Sequence, residues 1–224
     1  AASDVYKRQG LSKVEKIELT QDIKKAIANS RNNKAKRKGM STWDFDDTLA
    51  KTESDVLWTA PDGTKGKLNA TEFAKDGAKL LEQGYKFDFS EFNKVTKGEP
   101  GPFLEKALER AKKFGTKDQF ILTARAPEAA PAIKEFLDAQ GFKLPIENIV
   151  GLGNSTGAAK ARWMLKKFAE GYNDMYFADD AMANVEAVKY VTNRLDIKSD
   201  VQQAKRKYSL GLSAGINEMI ERST

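Results

Sequence analysis

Asp174-Met-Tyr-Phe-Ala-Asp-Asp180 is a short apolar run that ends in two adjacent carboxylates. A run of this length bounded by polar residues reads as a buried strand leaving the sheet. Three other segments have the same look: Met40-Ser-Thr-Trp-Asp44, Gln119-Phe-Ile-Leu-Thr123, and Ile146-Glu-Asn-Ile-Val150 followed by Gly151. Helical patterns sit between the later ones. Residues 102–114 precede the second strand. Residues 128–140 follow it, with Ile133, Phe136 and Leu137 on one face and Gly141 as a stop. Residues 157–169 carry Ala161, Leu165 and Phe168 on one face, and residues 181–191 complete the series. Alternation at this spacing predicts a parallel sheet covered on both faces, a three-layer α/β/α arrangement of the Rossmann-like kind. Sites in such sheets form beyond the carboxyl ends of the strands.

Residues 51–100 break the alternation. Val56–Ala60 and Lys65–Leu68 flank Pro61-Asp-Gly63 and predict a hairpin. A helix near 70–83 and an aromatic stretch (Tyr85, Phe87, Phe89, Phe92) follow. The segment reads as a small cap or flap inserted after the first strand, over the carboxyl end of the sheet. Its aromatics, with Trp58, suit either the cap's own core or the stacking of a base or sugar.

The first strand exits into Asp44-Phe-Asp46-Asp-Thr48. Two carboxylates two residues apart in extended chain point the same way, and a divalent cation relieves their repulsion. Asp-rich turns and Ca²⁺ loops share this local pattern. Thr123 ends the second strand, where it suits a phosphoryl oxygen or a helix cap. Lys160 lies early in a helix and alone reads as a surface residue. Asp179-Asp180 at a buried strand end needs a cation or donors to offset the charge.

The ordered set is more specific than its parts. Asp44-x-Asp46-x-Thr48, Thr123, Lys160 and Asp179-Asp180 each fall at the predicted catalytic face. With these residues, 40–194 resembles the haloacid dehalogenase-like (HAD) hydrolase superfamily, and the 51–100 insertion matches the position of its flap and cap. The resemblance implies a phosphatase. Asp44 would be the nucleophile that forms an aspartyl-phosphate, and Asp46 the general acid/base. Thr123 and Lys160 would bind and neutralise the phosphoryl group, and Thr48 would shape the loop. Mg²⁺ would be held by Asp44, the carbonyl of Asp46, and Asp179 or Asp180. Asp46 argues against the dehalogenase branch, whereas phosphotransferases and mutases share the same intermediate. Ser41 and Thr42 depart from the aliphatic first strand usual in the superfamily. Arg125 could reach a substrate anion or stand in solvent.

Composition narrows the chemistry. The 224 residues include no Cys and no His, which removes disulfides, thiolate catalysis, Ser-His-Asp triads and Cys/His zinc sites. No apolar run approaches the about 20 residues of a membrane span, so no membrane association is expected. The absence of cysteine fits a reducing compartment, and a cytoplasmic location is expected, with virion association as the alternative.

The net charge of +6 is uneven: residues 1–40 carry eleven basic and four acidic side chains, +7, and residues 41–194 carry −2. A helix is expected over 11–30, with Thr20 as a cap, Asp22 in its first turn, and Ile23, Ala26 and Ile27 on one face. It would belong to a basic N-terminal arm, residues 10–39. Arg31–Lys38 reads as a solvated linker or a nucleic-acid contact. Residues 1–9 resemble translated sequencing-adaptor read-through, and the chain is expected to be part of a longer polypeptide. Residues 195–224 read as a helical tail, with Leu212, Ile216, Met219 and Ile220 on one stripe. Three functions follow as expectations: a phosphatase acting on a small phosphorylated substrate, a HAD-like domain embedded in a larger phage structural or interaction protein, and a nucleic-acid end-processing phosphatase.

Overall fold

The computed structural model describes residues 10–30 and 36–204. In chain order the elements are α1 (Lys13–Asn29), β1 (Gly39–Trp43), β2 (Ala50–Lys51), β3 (Asp55–Thr59), β4 (Lys65–Asn69), α2 (Ala70–Glu82), β5 (Lys86–Asp88) and β6 (Glu99–Pro100). Then come α3 (Leu104–Phe114), β7 (Gln119–Thr123), α4 (Ala130–Ala139), β8 (Ile149–Gly151), α5 (Gly157–Ala169), β9 (Asp174–Asp179), α6 (Met182–Thr192) and β10 (Lys198–Gln203).

Five strands form one parallel sheet in the order β10-β9-β1-β7-β8. Alternation along the strands splits the core in two. Met40, Phe120, Leu122, Met175 and Phe177 face α1, α5 and α6. Trp43, Ile121, Tyr176 and Ala178 face α3 and α4. The expected three-layer α/β/α fold is thus observed. The chain builds outward from β1 to β8, then returns to the other side of β1 for β9 and β10. The reversal puts the topological switch point between β1 and β9, and the carboxyl ends of such strands are where open α/β sheets form their sites.

β1 is buried in spite of its polar residues. Ser41 accepts a hydrogen bond from Arg110 Nε at 2.9 Å, and Trp43 Nε1 donates to Gln119 Oε1 at 2.9 Å. Among the described residues the Thr42 hydroxyl has no hydrogen-bond partner, a cost of about 1–3 kcal/mol.

The insertion is a three-stranded antiparallel sheet, β4-β3-β5, with α2, and the predicted hairpin is present. The antiparallel pair β2 and β6 closes its base. Gly101 lets the returning chain cross the loop after β1, since a Cβ there would lie 2.6 Å from the backbone of Thr48 and Leu49.

Five expectations need correction. α1 starts at Ser12, whose hydroxyl caps the Glu15 amide in a reciprocal capping box; Thr20 is mid-helix and donates to the Lys16 carbonyl. Ile27 is exposed, and Leu19 joins Ile23 in the core instead. The helix therefore packs on the domain and is no arm; Arg162 of α5 also bonds Glu18 and Asp22.

In the third strand, Pro145 starts a single 3₁₀ turn over Ile146–Asn148, and only Ile149–Gly151 enters the sheet. The buried Asn148 amide is drawn aside to the carbonyls of Lys117 and Gln119. At the C-terminal side, residues 198–203 form the edge strand β10, not a helix. An edge strand has no need of the apolar run that marks a central one, and Val201 is its sole aliphatic residue. Residues 1–9, most of the basic stretch (31–35) and the apolar stripe from Leu212 to Ile220 lie outside the described residues. Among the described residues, no helix is long and apolar enough to cross a membrane.

Because Leu19 is fully buried, Leu19→Ala should destabilise the protein by about 3 kcal/mol in urea unfolding. A loss below about 0.5 kcal/mol, the level of a surface change, would contradict the packing of α1 on the domain.

Candidate active site

Parallel pairing sets the site. Trp43 of β1 lies in register with Ala178 of β9, so Asp44 and Asp179 leave the sheet side by side. The Asp44 amide continues the ladder by donating to the Ala178 carbonyl at 2.9 Å. The chain after Asp44 closes into one tight turn, in which the amides of Thr48, Leu49 and Ala50 all converge on the Phe45 carbonyl. Asp47 adopts a left-handed conformation (φ 55°) within it. The turn brings the Thr48 hydroxyl back to Asp44 Oδ2 at 3.1 Å.

Lys160, in the first turn of α5, is 1% exposed. Its Nζ donates to Asp44 Oδ1 and to Asp179 Oδ2, each at 2.6 Å. Burial opposes the lysine's charge, but the two carboxylates outweigh that cost and hold its pKa above the usual value. One ammonium between two carboxylates leaves an excess negative charge. Asp44 bears the consequence: burial, reinforced by Asp179 and only partly countered by Lys160, pushes its carboxyl well above the usual range. Burial, with Asp179 and Asp47 nearby, raises Asp180 to about 6.

Asp44, Asp179 and Asp180 each offer an oxygen within 4.8 Å of the others. Three carboxylates with an unbalanced charge form a donor set suited to a hard divalent cation such as Mg²⁺. The Asp46 carboxylate is not in this cluster.

The other predicted residues divide. Thr123, buried at the exit of β7, accepts the Arg125 amide at 3.2 Å. Arg125 does not stand in solvent, and its guanidinium is not free for a substrate anion. It is 5% exposed, and its head is consumed by Asp46, Thr52, Ser54 and the carbonyls of Phe92 and Lys94.

The sequence reading missed two contributors. Asn184, in the first turn of α6, donates to both oxygens of Asp179 at 3.0 Å. Its signal was the helical turn following Asp179-Asp180. The end of β10 fixes the acidic loop, with the Ala204 amide on the Asp179 carbonyl and Gln203 Nε2 on the Asp180 carbonyl. That support was hidden once β10 was read as helix.

The raised carboxyls give a signed pH prediction. Asp180 moves up from its ordinary 3.8 to about 6, so the metal-free fold binds this proton more tightly than the unfolded chain. Its contribution favours folding below pH 3.8 and is lost as pH rises through 6. Cation binding needs the ionised form and runs the other way. The increase in Tm at fixed Mg²⁺ should be larger at about pH 7.5 than at about pH 5.5. An equal or larger increase at the lower pH would contradict the assignment of Asp180 as a ligand.

No protein-family model, no curated protein and no solved structure matches this chain.

Proposed function

We propose that the protein is a Mg²⁺-dependent phosphomonoester hydrolase of the haloacid dehalogenase-like type, acting on a small phosphorylated substrate. The observation that carries the reading is the buried Lys160 bridge between Asp44 and Asp179, with the half-exposed carboxylate of Asp46 two residues beyond the nucleophile. An oriented carboxylate beside a buried cation suits attack on an anionic phosphoryl group.

In the first step an Asp44 carboxylate oxygen bonds to phosphorus and the bond to the leaving oxygen breaks. Asp46 gives that oxygen its proton. In the second step water attacks the aspartyl-phosphate, Asp46 takes a proton from it, and Asp44 leaves as carboxylate. The exchange is redox-neutral and returns Asp46 to its starting state. Lys160 holds Asp44 in place and offsets charge on the phosphoryl oxygens, and the Thr123 hydroxyl is available to one of them. Mg²⁺, held by Asp44, Asp179 and Asp180, would supply the remaining positive charge.

Asp44→Asn should reduce phosphate release by at least about 10³-fold, the scale of losing a nucleophile, and EDTA should do the same to the wild type. Release from sugar phosphates, nucleotides and 3′- and 5′-phosphorylated oligonucleotides, measured with and without Mg²⁺, checks this. Mg²⁺-dependent release that survives Asp44→Asn would overturn the mechanism.

A further inference from the structure

The role of Arg125 follows from counting its bonds, and it rests on the hydrolase reading above only for the identity of the reaction. A guanidinium has five N–H donors. Nε donates to Asp46 Oδ2 at 2.8 Å. Nη1 donates to the carbonyls of Phe92 and Lys94, both at 2.7 Å. Nη2 reaches Asp46 Oδ1 at 2.6 Å, Thr52 Oγ1 at 3.0 Å and Ser54 Oγ at 3.1 Å. Every acceptor except Asp46 belongs to the 51–100 insertion. The side chain thus starts at the exit of β7, ends inside the insertion, and grips the carboxylate after β1 on the way.

The base of the side chain is equally fixed. The Leu152 amide donates to the Thr123 carbonyl and the Gly153 amide to the Arg125 carbonyl, each at 2.9 Å. Gly151 permits this approach, since a Cβ there would lie 2.4 Å from the Ala126 carbonyl oxygen. Burying a guanidinium is costly without full pairing, and here six contacts supply it.

The two oxygens of Asp46 are not equivalent. Oδ1 accepts from Arg125 Nη2 and also from the Thr52 hydroxyl at 2.7 Å, which fills both its lone pairs. Oδ2 accepts only from Arg125 Nε among the described residues, so one lone pair stays open. The geometry points to Arg125 as the positioning residue that couples the insertion to the acid/base: with Thr52 it makes Oδ2 of Asp46 the proton-carrying oxygen, and it does so only while the insertion is seated. Water exclusion and general-acid alignment then become one event.

Two readouts on the full chain test this. The first is turnover of phosphomonoesters with alkyl, phenyl, 4-nitrophenyl and 2,4-dinitrophenyl leaving groups, compared among wild type, Arg125→Met and Arg125→Lys. Poor leaving groups need a proton and good ones do not, so Arg125→Met should lose about 100-fold with alkyl phosphates and under about threefold with the dinitrophenyl ester. Arg125→Lys keeps the charge without the fork and should behave nearly as Arg125→Met. An equal loss with every leaving group would overturn the proposal, since it marks substrate binding or general misfolding.

The second readout is hydrogen exchange, which needs no activity. Arg125→Met and Asp46→Ala should each speed exchange of amides in residues 50–55 and 92–96, with the amides of β1 and β9 unchanged. The double variant should match the single ones. Additive effects, or insertion amides unaffected by either change, would overturn the coupling. If Arg125→Met does not fold, the Thr52→Val/Ser54→Ala double variant removes insertion-side contacts and should show the same leaving-group trend, whose absence would likewise overturn the proposal. A wild type without Asp44-dependent turnover would defeat the hydrolase reading, while the exchange data would still decide whether Arg125 joins the insertion to Asp46.

Discussion

A buried ammonium between two strand-end carboxylates organises this protein. Lys160 bonds Asp44 and Asp179 at 2.6 Å on either side, and all three are almost wholly enclosed. Such a trio is expensive to desolvate and is a poor source of stability. The fold accommodates it because parallel pairing of β1 and β9 delivers the carboxylates in register and α5 begins beneath them. Asn184 and the Ala181 amide then saturate Asp179, and Thr48 steadies Asp44. The charge left over is what a divalent cation and a phosphoryl group would exchange for.

A second ionic device lies one layer further out. Arg125 ties the insertion to Asp46 and to the loop after β7, so the insertion rests on the carboxylate that we propose as the acid/base. Polar atoms of the insertion, at Thr52, Ser54, Phe92 and Lys94, do this work, while its aromatics pack against one another, as in the Trp58–Tyr85 pair. None of these rings is fully buried, and Phe89 is 48% exposed.

Legibility in the sequence followed burial. Central strands have apolar neighbours on both faces, so β7 and β9 were plain, and their exits pointed to Thr123, Asp179 and Asp180. Two carboxylates at β1 and a lysine in the first turn of α5 completed the set by order along the chain. Elements at the margin were harder. β10 has one covered edge and polar residues, and α1 fully buries only Leu19 and Ile23, with Ala26 packed partly against the core and Val14, Ile17 and Ile27 exposed. Asn184 and Arg125 were obscured for another reason: their value lies in partners distant in sequence, and nothing local to Leu-Thr-Ala-Arg announces that the arginine's acceptors lie at 46, 52, 54, 92 and 94.

The central claim is covalent chemistry at Asp44, and trapping the intermediate tests it most directly. Turnover of a phosphomonoester with Mg²⁺ would be quenched in acid and the protein mapped by peptide mass spectrometry before and after hydroxylamine. The account predicts a hydroxylamine-labile phosphoryl group on Asp44, absent from Asp44→Asn. A hydrolase that turns over with no acyl-phosphate, or with the phosphoryl group on any other residue, would contradict it.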